Sequence, residues 1–528
     1  MKEVFRRNAG LDDTSWVVFV RTYSIVLALI LAVTAFLSVG YYHPDEHFQT
    51  IEFASYKLGK TAASDLAWEF RSQMRPWLQP AYYVVIVKTA ALLGIADPFI
   101  LALIFRLFSA FFAWLSISAM MFCAYRMFHE QSQRKAVVRL LALFCFLPYY
   151  MVRTSSESLS TSFCMIGFAL LILGSRSVQK QETSFYEREY SGAVCFVTGI
   201  LWGLAFEFRY QIAFLIAGFL FWMFFVSIRD KKTGFGKILL IVCGILLPVA
   251  GCTFLDSWGY GRFTIVPWNY LDQNIFQHKA ARFGTMPVWG YFLLIVKRPL
   301  FPALLTLGAA VGMWRFKKHP FTWGILAFFL VHSLIGHKEL RFLLNLTIPA
   351  LFMVVYAIAP KGENDAFFTK LWKLRGSLPA KFLYAFNLFF LVLYSTKNEQ
   401  PSLFLDRYIY RHTAAPLHVY AVGDDPYETI RGLKVVFYQP EGIEITKCAS
   451  LDEVLRDAEG KQEFFWPVSV VNTVSLPPPP PPPYGPYQVE MLYRHEQKDL
   501  WTVIERVLEN EPKVVWTLYR FYYARAGD

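Results

Sequence analysis

A short acidic motif directly follows the first long apolar segment of the chain. Asp45 and Glu46 are adjacent carboxylates, His43 precedes them, and His47 and Glu52 follow closely. A carboxylate within hydrogen-bond reach of a hydroxyl group can remove its proton, and a second carboxylate can hold the same substrate. The simpler alternative is a solvated cluster at the start of a helix, where acidic side chains are favoured. We predict Asp45 and Glu46 as the catalytic pair.

A cluster of potential cations lies much later in the chain, between two apolar segments. His337, Lys338 and Arg341 surround the carboxylate of Glu339. Basic residues on the predicted outer side run against the usual enrichment of Lys and Arg in cytoplasmic loops. A phosphate group would explain them, because cations stabilise the charge of a departing phosphate. The alternative is an ion-paired turn that neutralises itself. We predict His337, Lys338 and Arg341 as phosphate-binding residues.

Two aromatic segments carry the remaining candidates. The first, 68–75, combines Trp and Glu with two arginines, and the second, 256–274, combines Trp, Tyr, Asn and Asp with several glycines. Rings can stack on sugar faces while a few amides and carboxylates bind hydroxyl groups. The alternative is a belt of interfacial aromatic residues with arginines that reach toward water. The candidates for binding a sugar acceptor are His43, Glu52, Trp68, Glu69, Arg75, Asp256, Tyr260, Trp268 and Asn269.

The composition indicates that a membrane positions these motifs. Of the 528 residues, 55% are hydrophobic and 17% are charged, and the mean hydropathy is +0.34. Soluble domains carry roughly 25% charged residues, and long apolar runs predict helices because hydrocarbon cannot bond to free backbone groups. Basic cytoplasmic loops explain the net charge of +12, so we expect no nucleic acid partner. The cysteines lack the spacing of a zinc site.

Twelve apolar segments are candidate spans, and they alternate with basic loops. A cytoplasmic N-terminus and an outward-facing tail require an odd number of crossings, so we predict about eleven transmembrane helices. The segments 79–95 and 136–150 are least suited to a full crossing, since one contains Lys88 and the other is short and contains Pro148. The candidates are 16–40, 79–95, 98–124, 136–150, 157–174, 191–206, 210–228, 237–255, 291–314, 321–336, 343–359 and 379–396.

The chain is predicted to have two domains. Residues 1–396 form a transmembrane domain that carries the motifs on outward loops 41–78, 256–290 and 337–342, and residues 397–528 form a small extracytoplasmic α/β domain. Ser450 and Glu453 predict a capping box at a helix start. In the tail we predict strands at 418–422, 433–438 and 464–471, helices at 450–458 and 499–509, and an extended polyproline loop at 477–483.

Five charged residues interrupt the apolar segments. Intramembrane charges usually face the interior of a helical bundle and take part in function. A purely structural ion pair between Glu207 and Arg209 is the alternative for those two residues. The five residues are Arg106, Arg153, Glu157, Glu207 and Arg209.

Taken together and in order, four motifs resemble those of glycosyltransferase family 22 in the GT-C superfamily, and within it the GPI mannosyltransferases of types 3 and 4. His43-Pro44-Asp45-Glu46 with Phe48-Gln49 and Glu52 is similar to the first-loop acidic motif, and Trp68-Glu69-Phe70 with Arg71 and Arg75 to the block that follows it. The other two motifs are Asp256 to Tyr260-Gly261 with Trp268-Asn269-Tyr270 and Asn274, and His337-Lys338-Glu339 with Arg341-Phe342.

The resemblance implies a GT-C-like fold and a lipid-linked mannosyltransferase. A polyprenyl or dolichyl phosphate mannose would be the donor, a glycan or glycolipid the acceptor, and transfer would invert the sugar linkage. Asp45 would be the base, Glu46 would orient the acceptor, and the 337–341 cluster would stabilise the lipid phosphate. No cofactor or metal is expected, and the partners would be these substrates and membrane lipids.

Two other classes of protein are alternatives. A lipid or sugar transporter would show internal repeats, and none is found between the halves of the chain. A scaffold subunit would be inactive despite an intact first loop. For the compartment, we predict a bacterial inner membrane with a periplasmic site, with the endoplasmic reticulum membrane and a luminal site as the alternative.

Overall fold

The computed structural model is mostly helical and ends in a small mixed sheet. It confirms the predicted all-α polytopic fold with a small α/β part near the C-terminus. The predicted polyproline loop and the predicted helix at 499–509 lie outside the described residues. The structure describes residues 2–177, 188–230, 234–298, 300–362, 365–400, 402–413, 416–428, 432–471, 486–495 and 514–523.

The elements follow in chain order. The α-helices are α1 Lys2–Asn8, α2 Thr14–Leu37, α3 Glu52–Lys57, α4 Trp68–Arg71, α5 Leu78–Leu92, α6 Pro98–Met127, α7 Gln131–Leu143, α8 Leu147–Met151, α9 Ser156–Gly174, α10 Gly192–Phe208, α11 Ala213–Asp230, α12 Phe235–Tyr260, α13 Val266–Leu271, α14 Gly290–Val296, α15 Leu300–Arg315, α16 Pro320–Leu334, α17 Thr347–Ile358, α18 Ala366–Lys373, α19 Leu378–Ser395, α20 Ser402–His412 and α21 Leu451–Asp457. The strands are β1 Arg176–Ser177, β2 Arg188–Glu189, β3 Leu417–Val422, β4 Ile443–Cys448, β5 Glu463–Val471, β6 Tyr487–His495 and β7 Val514–Tyr523. Shorter turns are π-helical at His47–Ile51 and Asp272–Phe276, and 3-10 helical at Tyr210–Ile212, Lys279–Phe283, Leu340–Leu346 and Leu374–Gly376.

Within the described residues, six helices are long and apolar enough to cross a membrane. They are α2, α6, α9, α12, α19 and the stretch Leu340–Ile358 that ends with α17. Four shorter apolar helices lie in α10, α11, α15 and α16. The helices α5 and α7, which correspond to the doubtful segments 79–95 and 136–150, belong to neither group.

One predicted span is wrong as drawn. The segment 291–314 was expected to be a single helix, but α14 ends at Val296 and α15 begins at Leu300. Lys297 and Arg298 lie at the break. Two consecutive cations are costly inside hydrocarbon, and the sequence continues with a proline, which cannot donate a helical hydrogen bond.

Close packing of α10 against α12 sets the ends of both helices beside each other. A Cβ atom on Gly199 would lie 2.1 Å from the carbonyl oxygen of Ile241, and one on Gly244 would lie 2.3 Å from that of Phe196. Only glycine allows backbones this close, and such small-residue contacts are typical of membrane helices. The two C-terminal ends carry four residues singled out in the sequence, namely Glu207, Arg209, Asp256 and Tyr260.

The chain divides into two compact units. The first unit comprises Met1–Ala35, Arg71–Ala81 and Arg106–Ser395, and the second comprises Phe36–Phe70, Tyr82–Phe105 and Thr396–Asp528. In the first unit α9 is largely buried, whereas α12 exposes most of its apolar residues, as expected of a helix that faces lipid. The predicted domain boundary at residue 396 stays a prediction.

The second unit contains a five-stranded sheet with strand order β4-β3-β5-β7-β6. β3 runs parallel to β4 and β5, and β7 runs antiparallel to β5 and β6. The strands predicted at 418–422 and 464–471 are confirmed as β3 and β5. The capping box is also confirmed: the Ser450 hydroxyl accepts the Glu453 N–H at 3.3 Å, and the Glu453 carboxylate accepts the Ala449 N–H at 2.7 Å.

The strand predicted at 433–438 is wrong. These residues form an irregular segment with one isolated bridge, between Glu428 and Lys434. The backbone N–H groups of Val436 and Phe437 donate to a side-chain carboxylate instead of a neighbouring strand. The apolar residues of this segment therefore indicate burial rather than a strand, since Val435, Phe437 and Tyr438 are buried.

Candidate functional site

The acidic motif, residues 43–52, forms a helical turn in the second unit that we call the acidic turn, and Gln49 joins Asp45 of this turn to Glu69. The Gln49 side-chain amide donates to Asp45 Oδ1 at 2.8 Å and to Glu69 Oε1 at 2.7 Å. The side chain of Asp45 is 21% exposed, whereas Glu46 and Glu69 are 3% and 6% exposed. The Asp45 N–H also donates to His43 Nδ1 at 3.2 Å. Asp45 is therefore the member of this group that a substrate hydroxyl can reach.

Glu69, rather than Glu46, shares a hydrogen-bond donor with Asp45. The sequence predicts Glu46 as the partner of Asp45 because the two residues are adjacent, and it predicts no role for Gln49. Asp45 and Gln49 are four residues apart, the spacing at which side chains of a helical turn meet. That spacing was the signal that could have identified Gln49. The role of Glu46 in orienting the acceptor stays a prediction.

Glu52 lies in the same unit with both carboxylate oxygens bonded to protein groups. Its Oε1 accepts the N–H groups of Val436 and Phe437 at 2.8 and 3.0 Å and lies 2.7 Å from His47 Nε2, and its Oε2 accepts the Thr61 hydroxyl at 2.7 Å. Buried carboxylates need such donors. These contacts support a structural role for Glu52, and its predicted contact with sugar stays a prediction.

The ring of His47, which contacts Glu52, is itself packed between aromatic rings. It is stacked against Tyr41 at 5.3 Å and against Tyr438 at 5.5 Å between ring centroids. His47 is 1% exposed. The start of the acidic turn is thus held by aromatic contacts as well as by the Glu52 carboxylate.

Three predicted sugar-binding residues of the central segment hold the backbone of residues 73–77 in the first unit. Asn269 donates to the Gln73 carbonyl at 3.1 Å, and the Tyr260 hydroxyl donates to the Arg75 carbonyl at 2.8 Å. The Trp77 N–H donates to Asp256 Oδ1 at 2.7 Å. We refer to these three contacts as the backbone clamp.

Two of these residues lie where the sequence did not place them. Asp256 and Tyr260 were expected on a loop hinged by glycine, but α12 continues through Tyr260. It ends at Gly261, whose φ of +72° is the left-handed conformation that favours glycine at a helix end. Gly259 is part of the helix, and a Cβ there would lie 2.1 Å from the Trp77 ring. It therefore serves close packing, and the outward loop begins about five residues later than predicted.

Other aromatic candidates remain accessible. Trp268 is 59% exposed, and the Arg75 guanidinium lies 5.8 Å from the centre of the Tyr270 ring. Trp68 begins α4 and is half-buried. The accessible ring of Trp268 is the feature of the central segment that suits sugar binding.

In the first unit, Glu339 contacts two of the three predicted phosphate-binding residues, His337 and Arg341. His337 Nε2 lies 2.8 Å from Glu339 Oε1, and Arg341 donates through Nε to Glu339 Oε2. The hydrogen bond to Glu339 raises the pKa of His337. Lys338 is buried and donates to the Ile335 carbonyl at 2.5 Å, and burial lowers its pKa. The turn therefore holds the side chains of His337 and Arg341 at one carboxylate, and Lys338 at a backbone carbonyl.

A buried ion-pair network lies on the other side of Arg341. Glu157 Oε1 is 3.2 Å from Arg209 Nη2 and 3.7 Å from Arg341 Nη1. The suggested pair of Glu207 with Arg209 is therefore wrong. Residues two positions apart on a helix do not face each other, and Arg209 follows the last residue of α10. Through Arg341, the 337–341 cluster therefore connects to a buried ion pair between Glu157 and Arg209.

Two further charges of the apolar segments, Arg106 and Arg153, have separate partners. Arg106 donates through Nε to the Ala35 carbonyl at 2.8 Å, and the Arg153 guanidinium lies 4.3 Å from the centre of the Tyr149 ring. Across the described ranges, no three His, Cys, Asp or Glu side chains are arranged to hold a metal ion. The expectation that no metal or cofactor is needed stays a prediction.

The sequence profile of the Alg9-like mannosyltransferase family matches residues 22–426, which include all four motifs. The chain belongs to this family. The match covers the acidic turn, the backbone clamp and the cationic cluster, and it ends within the tail.

Curated relatives agree with the family assignment. The chain is 24% identical over 336 residues to Mannosyltransferase APTG1 of Arabidopsis thaliana, covering 62% of this chain and 56% of that protein. It is 26% identical over 342 residues to GPI mannosyltransferase 4 of Candida albicans, covering 62% and 66%. It is 25% identical over 336 residues to GPI alpha-1,2-mannosyltransferase 3 of Mus musculus, covering 61% and 56%. The matched part thus spans about 56–66% of the length of these relatives.

A solved structure has a similar fold. ArnT from Cupriavidus metallidurans, crystallised with undecaprenyl phosphate, superimposes with a TM-score of 0.52 at 15% identity, covering 86% of this chain and 93% of that one. At this identity the similarity concerns the fold. Together with the apolar helices, it shows that this member of the Alg9-like family is a multi-pass membrane protein with the GT-C architecture.

Proposed function

We propose that the protein is an integral membrane mannosyltransferase that moves mannose from a polyprenyl or dolichyl phosphate mannose to a glycan or glycolipid. The observation that carries the proposal is the acidic turn, in which Asp45 is accessible and Gln49 holds it beside Glu69. Membership of the Alg9-like family supports the reaction class. The name of the Candida albicans relative, GPI mannosyltransferase 4, supports a glycolipid acceptor.

In the proposed reaction, Asp45 removes the proton from an acceptor hydroxyl as the hydroxyl oxygen attacks the anomeric carbon of mannose. The bond between that carbon and the phosphate oxygen breaks, and the electron pair leaves with the lipid phosphate. One such displacement inverts a β-linked donor into an α-linked product. His337, Lys338 and Arg341 stabilise the charge of the departing phosphate.

The half-buried Trp68 and the exposed Trp268 would contact acceptor sugars, and Arg75 would bind their hydroxyl groups. His43 would assist by fixing the backbone of Asp45. For the compartment, the sequence favoured a bacterial inner membrane. The relatives named above come from a plant, a fungus and a mammal, and this supports the alternative of an endoplasmic reticulum membrane with a luminal site.

The test is the Asp45→Asn variant of the full chain, purified in detergent and incubated with labelled lipid-phosphate mannose and a panel of glycolipid acceptors. Loss of the base is expected to reduce transfer by about 10²-fold or more. Asp65→Asn is the matched control, because Asp65 lies in the same unit, has a similarly exposed side chain and pairs with Lys434. Unchanged transfer by Asp45→Asn would contradict the assignment, and lipid movement without transfer by the wild type would favour a transporter.

A further inference from the structure

Glu339 takes a position that a phosphate group could also take. Its two carboxylate oxygens face the His337 ring and the Arg341 guanidinium at the same time. Arginine and histidine donors that converge on two oxygens bind carboxylates and phosphates with the same geometry. Glu339 is therefore bound by two of the three residues proposed to stabilise the lipid phosphate.

Exposure distinguishes Glu339 from a structural counter-ion. The side chain of Glu339 is 26% exposed, whereas that of Arg341 is 7% exposed. Glu157, the other carboxylate beside Arg341, is 4% exposed and is also paired with Arg209. Of the two carboxylates, Glu339 is the one on the accessible side of the guanidinium. An anion approaching Arg341 from solvent would meet Glu339 first.

The chain geometry allows Glu339 to leave. Its backbone is extended, with φ −129° and ψ 139°, and it directly precedes the 3-10 turn that carries Arg341. Rotation of the side chain toward solvent therefore requires no change in that turn. Arg341 would keep its contact with Glu157 when Glu339 moves away.

We propose that Glu339 is an internal counter-ion that occupies the phosphate position when no donor is bound. The phosphate of the lipid donor displaces it, and its return helps to expel the lipid phosphate left after transfer. This inference rests on the proposed function for the chemistry of the ligand. It adds that the protein itself competes with its donor and its product for the cations of the 337–341 turn.

The experiment compares wild-type protein with Glu339→Gln, both as the full chain in detergent, in a direct titration with undecaprenyl phosphate. Glutamine keeps the size of the side chain but removes the competing negative charge. Since charge-assisted hydrogen bonds are stronger than neutral ones, the variant is expected to bind undecaprenyl phosphate about tenfold more tightly. A parallel titration with inorganic phosphate separates binding of the phosphate group from binding of the lipid chain.

Two further variants keep the result interpretable. Asp272→Asn removes one negative charge from a π-helical turn of the same unit, where Asp272 accepts a hydrogen bond from the Gln273 amide. This variant should bind undecaprenyl phosphate with the same affinity as the wild type. Glu339→Asp keeps the charge but shortens the side chain by one methylene group, so it contacts the two cations less well. It should bind undecaprenyl phosphate more tightly than the wild type and less tightly than Glu339→Gln. It tests the competition even if Glu339→Gln does not fold.

Equal or weaker binding by Glu339→Gln would overturn the inference, because Glu339 would then orient His337 and Arg341 toward the phosphate. Weaker binding by Glu339→Asp than by the wild type would overturn it as well. The proposed function fails in a different way: if neither wild type nor variant binds undecaprenyl phosphate, the phosphate role of the whole cluster is lost. Binding is measured without mannose transfer, so a defect in transfer does not affect this result.

Discussion

The acidic turn of the second unit and the backbone clamp of the first unit are built from similar residue types but use them differently. In the acidic turn, Gln49 holds the carboxylates, and Asp45 keeps an accessible side chain. In the clamp, the polar groups of Asp256, Tyr260 and Asn269 are bonded to the backbone of 73–77. Residue type and spacing therefore predict substrate contacts in both the acidic turn and the backbone clamp. The exposure of the side chains and their hydrogen bonds show how the two regions differ.

The largest effect is expected at Glu52, which behaves like a clamp residue inside the acidic turn. Glu52→Ala should lower the free energy of unfolding by about 3 kcal/mol or more, since it leaves buried donors from His47, Thr61 and two backbone amides without their acceptor. Thermal denaturation of the full chain in detergent measures this change. Glu52→Gln keeps an acceptor oxygen and should be less destabilised. An unchanged melting temperature with a higher KM for the acceptor would instead restore Glu52 as a sugar-binding residue.

A smaller effect, on catalysis, is expected at Gln49. Gln49→Leu removes the amide shared by Asp45 and Glu69 and lets the base shift from its position, which should lower kcat by about tenfold to a hundredfold. The matched control is Thr50→Val in the same turn, whose hydroxyl bonds to the Glu46 carbonyl rather than to a carboxylate side chain. If both variants lose activity equally, Gln49 only stabilises the turn. The contrast between Asp45 as an accessible base and the bonded residues of the backbone clamp is then weaker.

The smallest effect is expected in the clamp itself. Tyr260→Phe removes the hydroxyl that donates to the Arg75 carbonyl and should cost about 1 kcal/mol of stability, with KM for the acceptor unchanged. Tyr270→Phe is the control, because phenylalanine keeps the ring that faces the Arg75 guanidinium. Melting temperatures and acceptor titrations distinguish the outcomes. A raised KM at full stability in Tyr260→Phe would show that the clamp contacts sugar after all.

Much of the fold could be predicted because long apolar runs leave few options in hydrocarbon. The helices α6 and α9 begin and end close to the predicted limits, and α12 begins close to its predicted start. Two cations followed by a proline in the segment 291–314 indicate the break between α14 and α15. The overall hydrophobicity of the segment concealed this signal. The late end of α12 was concealed by Gly259 and Gly261, which together predict a loop when the packing of Gly259 against Trp77 is unknown.

The site was predictable only in part. Asp45 stood out because an acidic pair next to an apolar segment is unusual, and the cations at 337–341 stood out by their predicted side of the membrane. The role of Glu52 could not be predicted, since its partners Val436 and Phe437 lie 384 and 385 residues away and donate through their backbones. Backbone groups leave no trace in residue type. The same holds for the carbonyls bonded by Tyr260 and Asn269.

The bond between Glu52 and the amides of residues 436 and 437 has an evolutionary consequence. The family match ends at residue 426, ten residues before the first of these amides. A carboxylate that recognises peptide N–H groups accepts almost any amino acid at the recognised positions, apart from proline. The stretch around residues 436 and 437 can thus diverge in sequence while its hydrogen bonds to Glu52 persist. Homologues too distant to align in this stretch can therefore keep the same contact.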